Sequence, residues 1–171
     1  MQYITTTMAT INQNLSEYNS STVPNGAKYT IAIIRSEWND DITSNLANGA
    51  EEALLENGVL PQNIIKTDVP GAYELPLAAQ WLAQKENIDA VICIGTVIRG
   101  ETSHFDYVCE AVSQGVKDVG LKTNKPIVFG VLTDDNKQQS IDRSGGIHGN
   151  KGIESGVTAL KMLGLKTALN S

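Results

Sequence analysis

The residues able to do chemistry crowd into one stretch, Gly95-Thr96-Val97-Ile98-Arg99-Gly100-Glu101-Thr102-Ser103-His104-Phe105-Asp106. It carries a glycine pair, hydroxyls, an arginine, a glutamate and one of only 2 histidines in the chain. Backbone N–H groups at the start of a helix, with glycine allowing close approach, suit an oxyanion. His104 could move protons beside it. Anion binding with acid–base chemistry is therefore the first reading. Plainer readings stand beside it: His104 could cap a helix, and Arg99 with Glu101 could form a surface ion pair worth little.

Other polar segments offer further candidates. Trp38 lies in the polar run Arg35-Ser36-Glu37-Trp38-Asn39-Asp40-Asp41, where no helical or strand period would bury it. It is either a core anchor or a stacking platform for a flat ligand. The segment Ser144-Gly145-Gly146-Ile147-His148-Gly149-Asn150-Lys151-Gly152 is a near miss to a phosphate-cradling P-loop. Its lysine lacks the preceding glycine and the following Ser or Thr, and it follows a helix instead of a strand, which argues against nucleotide hydrolysis. Arg143 and Lys151 still offer charge to a non-nucleotide phosphate. Two histidines without ligand spacing argue against a bound transition metal. Cys93 and Cys109 match neither a zinc site nor a redox pair, and read as small buried hydrophobes.

Alternating strands and helices must position these groups. Residues 30–34, about 63–69, 90–94 and 126–132 are short apolar, β-branched runs that read as buried strands. Ile42, Leu46, Ala53 and Leu54 mark a helix capped by Asp40 or Asp41 and stopped by Asn57-Gly58. Leu75, Ala79 and Leu82 mark a second, with Gly71 turning the chain and Pro76 tolerable in its first turn. Phe105, Val108, Val112, Val116 and Val119 mark a third, residues 137–143 a short fourth, and Ile153, Val157 and Leu160 the last. The pattern predicts an α/β fold: a single-domain α/β/α layered structure with a four-stranded parallel sheet flanked by helices, flavodoxin-like. Ligands of such sheets bind beyond the carboxyl ends of the strands, where the stretch from Gly95 begins.

Residues 1–28, rich in Thr, Ser, Asn and Gln, read as a flexible, partly disordered N-terminal arm, leaving 29–171 as the domain. A chain of 171 residues, 41% hydrophobic, has core enough for that one domain. A net charge of -6 argues against nucleic acid or an anionic membrane as partner. No apolar run reaches the ~20 residues of a membrane span, and the N-terminus lacks the pattern of a signal peptide. A cytoplasmic location is expected.

Taken together, Val69-Pro70-Gly71-Ala72-Tyr73-Glu74-Leu75-Pro76, the stretch from Gly95 to Tyr107, Phe129-Gly130-Val131-Leu132-Thr133 and Asn150-Lys151-Gly152 resemble the lumazine synthase family of riboflavin biosynthesis. Four motifs in order, over roughly residues 29–163, carry the resemblance. It implies condensation of 5-amino-6-ribitylaminouracil with 3,4-dihydroxybutanone 4-phosphate to dimethylribityllumazine, with phosphate and water released and no organic cofactor or metal involved. Through it Trp38 is similar to the aromatic that stacks on the pyrimidine, and Ala72, Tyr73 and Glu74 to the segment holding the ribityl chain. Thr96, Val97 and Ile98 match the strand end facing the ring, and Phe129 its other wall. Glu101 and Thr102 match the phosphate-binding turn, Arg143 the phosphate-binding arginine, Lys151 an auxiliary charge and His104 the acid–base residue.

The same resemblance implies a homo-pentamer whose sites lie between subunits, with Phe129 and Arg143 supplied by the neighbour. Some members stack pentamers into an icosahedral shell, and the compact segment between Arg143 and Lys151 leans toward it; association with riboflavin synthase is a further implied partnership. Trp38 stands where Phe is more usual, which opens the site to riboflavin itself. A catalytically idle riboflavin carrier and a shell-forming structural protein are the alternatives; neither requires His104, Arg143 and Lys151 together.

Overall fold

The computed structural model describes residues 14–170. Four parallel strands form one sheet in the order β2-β1-β3-β4, from β1 (Ile31–Ser36), β2 (Ile64–Val69), β3 (Ala90–Ile98) and β4 (Ile127–Asp134). Parallel strands need covered faces, and the two central ones are apolar on both sides. Ile31, Ile33, Ile92 and Ile94 pack with Leu46, Leu54 and Leu160 under α1 (Asp40–Glu56) and α5 (Lys151–Leu169). Ala32, Ile34, Val91 and Cys93 pack with Leu75, Ala79, Val112 and Val116 under α2 (Leu75–Ala83) and α3 (His104–Thr123). The predicted layers and strand direction are as observed. α5 reaches α1 closely because it carries glycine there: a Cβ at Gly156 would come 2.8 Å from the Ala50 carbonyl oxygen.

Four local expectations differ. The strand predicted to end at Ile94 runs on to Ile98, because Thr96, Val97 and Ile98 stay in register with Leu132, Thr133 and Asp134 of β4. α1 is preceded by Asn39 in the left-handed region (φ 59°), not capped by an aspartate. Asp40 and Asp41 occupy its first turn, where their charge complements the helix dipole. The glycine-rich segment after α4 (Lys137–Arg143) is an antiparallel hairpin of β5 (Ser144–Gly146) and β6 (Gly149–Asn150).

The fourth difference concerns the arm. Residues 1–13 lie outside the described residues, but the rest of the segment read as loose is docked. Leu15 is buried, Tyr18 Oη donates to Glu56 Oε2 (3.0 Å) and accepts from Asn57 Nδ2 (3.1 Å), and Val23 packs on the core. Few apolar residues suffice here because polar side chains and backbone groups make the attachment.

Candidate active site

Strand ends bring most of the candidate residues together. Beyond β1, the Glu37 N–H donates to the Val69 carbonyl (2.9 Å), which ties the β1–α1 loop to the end of β2. Trp38 in that loop is 72% exposed, so it is no core anchor. Its indole lies against Gly71: a Cβ built there would sit 3.5 Å from Trp38 Cδ1 and 3.1 Å from Glu74 Oε2. Gly71 thus lets the indole and the Glu74 carboxylate share one corner. A single 3-10 turn, Ala72–Glu74, follows it, with Ala72 buried and Tyr73 and Glu74 exposed.

The end of β3 supplies the floor. Thr96 is buried and its Oγ1 lies 3.1 Å from Ser140 Oγ, which donates to Asp134 Oδ2 (2.7 Å). That buried relay occupies the Thr96 side chain, so Thr96 presents backbone to the site. Val97 and Ile98 are half-buried. Glu101 and Thr102 are exposed in the turn, and Thr102 Oγ1 accepts weakly from the His104 N–H (3.4 Å). Ser103, not His104, is the N-cap of α3. The His104 side chain is exposed and enters no hydrogen bond or ion pair among the described residues, so the capping role falls away.

Arg99 does not pair with Glu101 as the neighbouring charges imply. Its Nε donates to Asp135 (2.9 Å) and its Nη1 to Asp106 (3.1 Å). The Asp135 bond, with Asp106 adding to it, raises the guanidinium pKa above its ordinary value. Asp135 as the partner of Arg99, and the Asp134–Ser140 relay under Thr96, escape sequence reading, because Arg99 and Asp135 lie 36 residues apart and Thr96 and Ser140 44. The only available signal is the run of polar residues at the ends of β3 and β4.

The remaining candidates stand elsewhere. Phe129 pairs with Cys93, well before the strand's end, on β4, an edge strand of the sheet among the described residues. With Lys151 it lines a groove of about 360 Å³ between α3 and α5, beside Val116, Leu121 and Met162. Lys151 opens α5, and its Nζ pairs with Glu154 (2.6 Å). Arg143 closes α4, half-buried, its Nη1 donating to the Gln139 carbonyl (3.0 Å). Within one chain, Phe129 and Lys151 therefore line a different surface from Trp38 and His104. Among the described residues no group of three or more His, Cys, Asp or Glu could hold a metal, and no helix is long and apolar enough to cross a membrane.

An exposed indole, a polar turn and an exposed imidazole stand beyond the carboxyl ends of a parallel sheet, the place where open α/β enzymes bind their ligands. The family model described as 6,7-dimethyl-8-ribityllumazine synthase matches residues 28–167. Proteins of that name from Cytophaga hutchinsonii and Flavobacterium johnsoniae are each 56% identical to the chain, over 156 and 155 residues. Those alignments cover 91% of this chain and 98% and 82% of the relatives. The namesake from Flavobacterium psychrophilum is 49% identical over 163 residues, 95% of this chain and 86% of that one. The chain belongs to the 6,7-dimethyl-8-ribityllumazine synthase family.

Proposed function

We propose that the protein is a transferase that condenses 5-amino-6-(D-ribitylamino)uracil with 3,4-dihydroxy-2-butanone 4-phosphate, releasing 6,7-dimethyl-8-ribityllumazine, phosphate and water. The reaction is the penultimate step of riboflavin biosynthesis. Family membership supports the reaction, and one observation carries the site: Trp38, Glu74, the Glu101-Thr102 turn and His104 all stand beyond the ends of the same sheet. In this reading Trp38 stacks on the pyrimidine, and Ala72, Tyr73 and Glu74 hold the ribityl chain. The backbone of Thr96, Val97 and Ile98 meets the ring. Glu101 and Thr102 form the phosphate turn, and His104 moves protons during imine formation, phosphate loss and ring closure. Holding two reactants in line supplies ~7–11 kcal/mol of the acceleration.

Phe129 and Arg143 complete the site from an adjacent chain of a homo-pentamer, with Lys151 as an auxiliary charge. The edge of β4, which pairs with no further strand among the described residues, and the groove beside it support that reading, since an open strand edge flanked by apolar residues is a pairing surface. Residues 29–171 form the catalytic domain, with 1–28 appended to it. Assembly into an icosahedral shell, association with riboflavin synthase and a cytoplasmic location complete the proposal. Mixing the two substrates tests it: lumazine and phosphate should appear together. Binding of the pyrimidine without product would instead identify a carrier.

A further inference from the structure

The hairpin β5–β6 joins Arg143 to Lys151, and Ser144 pairs with Asn150, so the residues flanking the hairpin end are held in register. Three sets of contacts then fix it to the rest of the chain. The His148 N–H donates to the Asp142 carbonyl (2.8 Å). Asn150 Nδ2 donates to the Asn45 carbonyl of α1 (2.9 Å), and Asn150 Oδ1 caps α5 by accepting from the Gly152 N–H (2.8 Å). The third set comes from the arm. The Leu15 N–H donates to the His148 carbonyl (2.8 Å), and Ser16 Oγ accepts from the Asn150 N–H (2.9 Å).

The arm is shaped for this contact. Asn14 Oδ1 accepts from the Ser16 N–H (2.9 Å), and the Glu17 N–H donates to the Asn14 carbonyl (3.1 Å), which folds residues 14–17 into a turn. That turn lies directly on Gly149, whose φ of 80° already demands glycine, and a Cβ there would come 2.9 Å from the Leu15 nitrogen. Tyr18 and Val23 fasten the following residues to α1 and the core. The arm thus spans from the core to the one hairpin that separates the two cations.

We propose that residues 14–16 are a positioning clip for the phosphate site. By holding the backbone of His148 and Asn150, they set where Lys151 and Arg143 stand relative to each other, and so set the affinity for the phosphate-bearing substrate. The proposal rests on the reading that Arg143 and Lys151 bind phosphate. Neither Leu15 nor Ser16 touches the substrate; each acts through the hairpin. The ring-binding corner at Trp38 and Glu74 shares no contact with the clip and stays unaffected.

Ser16→Ala removes the acceptor, and Ser16→Thr keeps it. Inorganic phosphate is the probe, as a competitive inhibitor, alongside the KM of each substrate and hydrogen exchange at the Asn150 amide. Ser16→Ala should raise the phosphate Ki and the KM of the butanone phosphate by about three- to tenfold, the worth of one hydrogen bond. It should leave the pyrimidine KM unchanged and speed exchange at Asn150, and Ser16→Thr should restore all three. Unchanged phosphate affinity despite faster exchange would overturn the proposal, as would unchanged exchange or an unfolded Ser16→Ala protein. Arg143→Ala and Lys151→Ala serve as the control. If they too leave the phosphate Ki unchanged, the phosphate reading itself fails; if they raise it and Ser16→Ala does not, only the clip fails.

Discussion

The guanidinium of Arg99 lies 4.1 Å over the ring of Phe105 while its two edges hold Asp106 and Asp135. Phe105 and Asp106 belong to the first turn of α3, and Asp135 follows β4, so one side chain fastens the start of α3 to the end of the neighbouring strand. Between Arg99 and Phe105 lie Glu101, Thr102 and His104. The clamp therefore fixes the frame from which the Glu101-Thr102 turn and the imidazole project.

Arg99→Lys should loosen that frame, because an ammonium reproduces neither the fork nor the stacking. We expect kcat to fall by about tenfold, within the ~10²-fold effect that small misplacements of reacting groups produce. Pyrimidine affinity, which the proposed function assigns to Trp38, should hold. An unchanged kcat by steady-state assay would show that the turn keeps its shape without the clamp.

How much of this is legible in the sequence follows from the range of each interaction. The run Ala90-Val91-Ile92-Cys93-Ile94 announces a buried strand because its burial is encoded locally by composition. The extension of β3 to Ile98 is not, because Val97 and Ile98 owe it to β4, more than thirty residues onward. Trp38 and His104 stand out as unusual residue types in polar loops. The Thr96–Ser140–Asp134 relay and the Leu15–His148 bond join side chains or segments that carry no mark of each other. The arm shows the same limit: its composition reads as loose, yet its docking rests on hydrogen bonds whose partners lie up to 134 residues away.

Trp38 should report ligand binding directly. Flat ring systems stack on indole at close range, so riboflavin should quench its emission. Trp81, 60% exposed on α2, contributes a background. The measurement therefore compares the native protein with Trp38→Phe, in which quenching should largely disappear. Equal quenching in both would remove the stacking role.

Cys93 should be inert in the folded state. Burial alone pushes its pKa up to about 12, which keeps the thiol protonated near neutral pH, and the thiolate is the nucleophile. Iodoacetamide followed by peptide mapping should find it unmodified until the protein is unfolded. The linkage has a definite sign: the folded state keeps a proton that the unfolded chain loses near ~8.5. This residue's contribution to stability should therefore decline as pH rises above that value toward 12. Alkylation of Cys93 at the rate of a free thiol would show that the core opens readily.

The last prediction concerns the division of the site between chains. Within one chain, Arg143 bonds back to its own helix and Lys151 pairs with Glu154, while the His104 imidazole, at the start of α3, has no hydrogen-bond or ion-pair partner among the described residues. If His104 and Arg143 meet one substrate from neighbouring subunits, a head-to-tail interface joins the His of one chain to the Arg of the next. His104→Ala should slow condensation by ~10²-fold or more, as loss of an acid–base group does, and Arg143→Ala should impair every site as well. Co-expressed, the two variants should rebuild intact sites wherever an Arg143→Ala chain lends its histidine to a neighbour that keeps its arginine. With random mixing at equal amounts, roughly a quarter of the interfaces in a closed ring qualify. Activity well above the mean of the two single variants is the expected result. No recovery, with mixed rings demonstrated by mass spectrometry, would mean that both residues serve the same chain's site, or that one of them takes no part in the reaction.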